Sequence, residues 1–212
     1  MWCDQKRTGL MSGVSERTGN RTVVGNVSLT LDGRMTGSGG DQDVDWTGPH
    51  TRSDEVREHR ERLHASATTA LMSGEDFETF REVWGPAVED LTADPRDRAF
   101  ARWLDAVEKI IVSSAMTEPG WRNTWVLDVD PAQVAAQLRR QRGGDVLVLS
   151  GTLISRLLAV DALDRLAIVW CPELLGGGAR LFDDGLPRSR WTLTSSTVSD
   201  TGANCTTYDR VR

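Results

Sequence analysis

The chain reads as a three-layer α/β/α protein, with helices on both faces of a mixed, mostly parallel sheet that ends in an antiparallel hairpin. Three observations predict this. The short runs Ile110-Ile111-Val112 and Val146–Leu149 carry no polar residue, as expected of strands buried on both faces. Segments with helical signals separate the strands, so the order β-α-β-α repeats. The last two extended stretches, Trp191–Val198 and Cys205–Val211, flank a turn at Gly202 and read as a hairpin.

In chain order, Thr22–Leu31 is β-branched and partly alternating, which predicts a strand, and Asp32-Gly33 ends it. Residues 36–50 are rich in Gly, with Asp, Ser and Pro, and read as a long loop; such loops inside compact domains are often functional. Ser53 caps a helix with Asp54 and Glu55 in its first turn, running to about His64. Its apolar positions are Val56 and Leu63, which predicts a helix on the surface. Ala67–Met72 fits a short buried strand. Glu75–Val83 follows as a helix, with Phe77, Phe80 and Trp84 on one face. Phe100, Trp103, Leu104 and Val107 mark a third helix. Thr124–Leu127 is a weaker strand, and Pro131–Arg140 a helix with Pro in its first turn. Gly143-Gly144 breaks that helix. Thr152–Val160 is a further helix and Arg165–Trp170 a further strand.

The 212 residues fit one domain, taken as 21–212, behind a polar extension, 1–20, expected to be flexible. With 25 basic and 31 acidic residues the net charge is −6, which argues against general nucleic-acid binding. The extension lacks the apolar core of a signal peptide. No apolar run approaches the roughly 20 residues of a membrane span. A soluble, cytoplasmic protein is expected. Cys3, Cys171 and Cys205 are odd in number and show no CxxC spacing, so neither a disulfide framework nor a zinc site is indicated. His59 and His64, five residues apart on the charged helix, do not share a face for a metal and read as solvated. Neither a Gly-x-Ser-x-Gly elbow nor a Walker loop is present.

Several strand ends carry residue types suited to a ligand. The buried strand Val146–Leu149 ends at Ser150-Gly151-Thr152, where the helix Thr152–Val160 starts immediately. A helix N-terminus offers free N–H groups and partial positive charge to a pyrophosphate, and Gly151 permits close approach. The same residues also make an ordinary capped turn. Ser113 and Ser114 end another strand at the same edge of a parallel sheet, where ligands bind, or simply begin a turn. Asp32 could orient a substrate or relay a proton, although Asp-Gly is also a common turn pair. Pro172–Phe182 contains Gly176-Gly177-Gly178 between Leu174-Leu175 and Leu181-Phe182, a glycine run anchored in apolar sequence.

Four segments in fixed order carry a resemblance. They are Val27–Met35 with Asp43-Val44-Asp45-Trp46, then Lys109–Ser114, then Asp145–Thr152, and last Pro172–Phe182. Together they resemble the dihydrofolate reductase-like superfamily, in the branch of the reductase domain of riboflavin biosynthesis. The resemblance spans about residues 22–211. It implies that fold, a nicotinamide-dependent reductase activity on a small polar substrate, and a homodimer. It also implies NADPH as cofactor, with Ser113, Ser114, Ser150, Gly151, Thr152, Leu153 and Gly176 around it. Ser28, Asp45, Trp46 and Gly177 would face the substrate, and Asp32 would assist catalysis. The strand Ala67–Met72 should lead to the residues at the cofactor's 2′-phosphate. Here the family's arginine is replaced by Gly74 or Glu75, and no basic residue follows Ser114. An acidic residue suits a free 2′-hydroxyl, so the resemblance leaves room for NADH. It also leaves room for a redox-neutral enzyme, or a binding protein, that reuses the cleft.

Overall fold

The computed structural model describes residues 19–40 and 43–212, so the expected extension lies, apart from residues 19 and 20, outside the described residues. The strands are β1 (Val23–Thr30), β2 (Ala67–Ser73), β3 (Glu108–Val112), β4 (Thr124–Leu127), β5 (Asp145–Val148), β6 (Arg165–Cys171), β7 (Arg190–Val198) and β8 (Asn204–Val211). The helices are α1 (Gly48–Thr51), α2 (Asp54–Ser66), α3 (Gly74–Ala87), α4 (Pro95–Ala106), α5 (Pro131–Arg139) and α6 (Gly151–Ala159). One sheet holds all eight strands in the order β4-β3-β2-β5-β1-β6-β8-β7. β1 to β6 pair in parallel, whereas β8 runs antiparallel to both β6 and β7. The predicted fold class and closing hairpin are therefore observed.

Consecutive side chains of a strand point to opposite faces, and here they feed two cores. Val23, Leu71, Ile110, Val146 and Val148 pack with Val134, Leu138, Leu153, Ile154 and Leu157 of α5 and α6. Their neighbours Val24, Met72, Ile111 and Leu147 pack with Phe77 of α3 and with Phe100 and Leu104 of α4. This two-sided burial explains the unbroken apolar runs of the central strands. A nine-residue helix such as α6 is marginal by itself. Burial of Leu153, Ile154 and Leu157, at about 1.5–3 kcal/mol per side chain, is what holds it.

Two buried cations stitch strand ends to helices. Arg21 donates to Gly144 O (2.6 Å) and Thr69 Oγ1 (2.7 Å), fixing the entry to β1. Lys109 is fully buried, and its Nζ donates to Leu104 O (2.7 Å), Val107 O (3.0 Å) and Asp105 O (3.2 Å), closing the C-terminus of α4. Cys171 and Cys205 are buried and unbridged.

Two expectations are corrected. α2 is not a solvated surface helix. Val56 and His59 are buried, and Arg60 lies over the rings of Trp84 (5.4 Å) and Phe100 (4.9 Å). Val56, His59 and Leu63 follow helical spacing, so His59 sits in the apolar stripe; counting only hydrophobic residues hides that stripe. The 36–50 stretch is not loop throughout, because a 3-10 turn over Asp45–Thr47 leads directly into α1.

Candidate active site

A cleft of about 280 Å³ opens on the α2–α3–α4 face of the sheet. Its floor is β1 (Asn26, Val27, Ser28), Leu149 and Val169. Phe80, Trp84 and Phe100 form one wall, in which Trp84 and Phe100 pack edge to face with ring centroids 4.7 Å apart. Val44, Thr47 and Thr51 line the rim on the other side. The cleft reaches the β2–α3 and β5–α6 turns, where it is lined by Glu75, Asp76, Gly151 and Thr152. It thus lies at the carboxyl ends of parallel strands, where two helices begin, as ligand sites of open α/β sheets do.

α2 supplies two polar groups that sequence reasoning did not assign to a site. His59 lines the cleft at 3 % exposure, and its Nε2 has no hydrogen-bond partner. Burial first, and then the charge of Arg62, lower its pKa to about 4, so the ring is neutral at pH 7. Arg60 lies beside it and is ion-paired to Asp97 of α4 (2.5 Å). Asn26 and Ser28 complete a polar edge opposite an aromatic wall.

At the β2–α3 turn, Ser73 caps α3 by accepting the Asp76 N–H (3.2 Å), while its hydroxyl donates to Asp76 Oδ2 (2.6 Å). The Ser150 hydroxyl donates to the same carboxylate oxygen. Asp76, absent from the sequence-based candidates, therefore joins the N-termini of α3 and α6. Its sequence signal was the Ser-x-x-Asp capping pattern.

The expected site residues divide. Ser28, Glu75, Gly151 and Thr152 line the cleft. Ser150 is fully buried with its hydroxyl committed to Asp76, and Leu153 points into the core beneath α6, so neither side chain faces the cleft. Gly151 leaves no room for a side chain: a β-carbon there would lie 2.4 Å from Met35 Sδ. Gly74 and Ser113 abut each other, since a β-carbon on Gly74 would come within 2.8 Å of Ser113 Oγ. That hydroxyl accepts the Met116 N–H (3.1 Å), and Ser114 is exposed beside it. Neither serine lines the cleft. Asp45 is exposed, and Trp46 packs on Val56, Val169 and Cys205; their neighbours Val44 and Thr47 form the rim instead.

Asp32 and the glycine run form a separate structural unit. The Asp32 carboxylate accepts the Thr30 hydroxyl (2.6 Å), the Gly176 N–H (3.0 Å) and the Leu175 N–H (3.4 Å), and pairs with Arg34 (3.4 Å). The Thr30 hydroxyl first, and then these amides, hold its carboxyl well below the usual carboxylate range. A group so firmly ionised is a poor proton relay near neutrality. Asp32 anchors the turn and lies outside the lining of the cleft. Gly176 and Gly177 likewise sit outside that lining. Gly176 (φ +70) faces open space, and a β-carbon on Gly177 would lie 3.2 Å from Ser38 Cβ. Gly178 (φ +95) is the demanding position, because a β-carbon there would meet Thr36 O at 2.0 Å. The glycine run serves a close backbone crossing with 34–38, which is bridged at Arg34 and Arg180.

Sheet order, layers and cleft define a dihydrofolate reductase-like α/β protein. Within that class the chain belongs to the RibD C-terminal domain family, whose family model matches residues 21–204. No curated protein sequence matches the chain. Among solved structures it is similar to a Shewanella sp. PV-4 protein named for riboflavin biosynthesis, with TM-score 0.70 and 20 % identity over 90 % of this chain and 99 % of that one. A pyrimidine reductase-like protein of Corynebacterium diphtheriae gives TM-score 0.59 and 14 % identity over 91 % and 92 % of the two chains. Dihydrofolate reductase of Enterococcus faecalis gives 0.56 and 14 % over 92 % and 99 %. At these identities the likenesses concern the fold. No helix of the described residues is long and apolar enough to cross a membrane.

A nicotinamide dinucleotide fits this arrangement unevenly. The broad cleft, its aromatic wall and its polar edge suit a planar ring. The phosphate end does not fit as it stands: Glu75 and Asp76 line it, and the one Arg or Lys among the described lining residues, Arg60, is paired with Asp97.

Proposed function

We propose that this chain is a reductase of low cofactor affinity, acting on a small, polar, planar substrate held in the cleft. Membership of the RibD C-terminal domain family over 21–204 is the observation that carries this reading. The cleft supports it: Phe80, Trp84 and Phe100 give it an apolar aromatic side, and Asn26, Ser28 and His59 offer hydrogen bonds at its edge. Neutral His59 donates or accepts one hydrogen bond, and burial around it excludes water. The reducing power would come from a nicotinamide cofactor, and the chain's own residues would bind, orient and shield. The Glu75 carboxylate in the cleft lining suits a free 2′-hydroxyl better than a 2′-phosphate, which favours NADH over NADPH. The cytoplasmic location and the homodimer remain part of this proposal; light scattering tests the latter.

One observation favours a second reading. The carboxylate at the phosphate end suits a redox-neutral enzyme of the same cleft. Titration of NADH and NADPH, followed by quenching of tryptophan fluorescence and by calorimetry, separates the two. Saturable binding with reduction of a pterin- or pyrimidine-type substrate supports the reductase. Absence of binding up to millimolar concentration sinks it and supports redox-neutral chemistry.

A further inference from the structure

We infer that Asp76 is a built-in occupant of the anion seat between the N-termini of α3 and α6, so that a dinucleotide diphosphate enters only by displacing it. This rests on the reading of the cleft as a cofactor site, and it goes further by naming the residue that sets the affinity.

Three features that would serve a diphosphate are already spent on the protein itself. The Ser73 hydroxyl donates to Asp76 Oδ2 (2.6 Å). The Ser150 hydroxyl donates to the same oxygen, from a residue with no exposed surface. Met35 Sδ crowds the start of α6, where a β-carbon on Gly151 would lie 2.4 Å from it. Charge acts in the same direction. Helix N-termini attract anions through free N–H groups and the helix dipole. Here Glu75 and Asp76 already supply that negative charge in the first turn of α3. Because the carboxylate oxygen bonds hydroxyls from both turns, it also bridges them, and a phosphate group would have to take over both bonds. A like charge left beside the diphosphate would be repelled at short range. Met35 differs from Asp76 in this respect: its thioether is flexible and uncharged, and can swing aside.

The test compares the full-length wild type with Asp76→Ser and Asp76→Asn, using NADH, NADPH and ADP as probes in calorimetry. Asp76→Ser removes the charge and frees Ser73 and Ser150. Asp76→Asn removes the charge but keeps the shape. Circular dichroism and thermal melting establish that each variant is folded, and two variants guard against one failing to fold. Expected is at least tenfold tighter binding of all three probes by Asp76→Ser, and a smaller gain by Asp76→Asn. Wild-type affinity equal to that of both folded variants overturns the inference and leaves the reductase reading standing. If neither folded variant binds any probe, the seat is no dinucleotide site, and both readings fall.

Discussion

The Asp32 carboxylate accepts the Gly176 N–H at 3.0 Å across 144 residues of sequence. That bond, with those from Thr30 and Leu175, ties the β1 turn to the glycine run. Asp32→Asn should lower the melting temperature at pH 7. The folded-state pKa is depressed, so the carboxylate's contribution is present above the usual carboxylate range and is lost as pH falls below it. The gap between wild type and variant should therefore hold from pH 7 to about pH 5 and shrink as pH falls through about 4 and below in thermal melts. A pH-independent gap would show that charge is irrelevant to the turn.

Gly178 and Gly176 should respond differently to alanine. At Gly176 only the left-handed backbone is strained, at a cost of about 1–2 kcal/mol. At Gly178 the new β-carbon would also press on Thr36 O, so the 34–38 segment must move. Urea denaturation should rank Gly178→Ala well below Gly176→Ala in stability. Equal losses would contradict the backbone crossing described here.

Lys109→Met should destabilise the protein by about 1–3 kcal/mol or more, because it leaves the Leu104, Asp105 and Val107 carbonyls without their shared donor. Burial lowers the Lys109 pKa to about 8. The unfolded chain then binds more protons than the folded one between about pH 8 and the ordinary lysine value. Wild-type stability should accordingly gain on the Met variant as pH rises through that window. Chemical denaturation at pH 7.5 and 9.5 provides the check.

His59 and His64 both have pKa values lowered to about 4, chiefly by burial. Unfolding lets them titrate near 6.5, so stability should fall as pH drops from about 6.5 to 4. His59→Gln should flatten part of that slope. An unchanged slope in the folded variant would mean that His59 does not titrate on unfolding.

Much of the architecture was legible in the sequence because its cause is local. Ile110-Ile111-Val112 and Val146–Leu149 announce strands buried twice over, and Pro131 marks the first turn of α5. The turn residues Asp32-Gly33 and the Gly202 hairpin were equally plain. The sequence also carried the family, since four short segments in order suffice to suggest it.

Tertiary structure alone decided the occupants of the site. Which side chain reaches a cleft depends on helix rotation and on what covers what, and neither is written in nearest neighbours. Asp76 was not singled out from the sequence at all; only the fold set Ser150, 74 residues away, against it. His59 looked solvated because its helix is mostly charged, yet one stripe of that helix is pressed onto the sheet. Asp32 was nominated for catalysis by the family resemblance of its turn, whereas the crossing of two distant segments commits its carboxylate to backbone amides. Contacts made at long sequence separation assigned these residues, and single-residue chemistry could only nominate them.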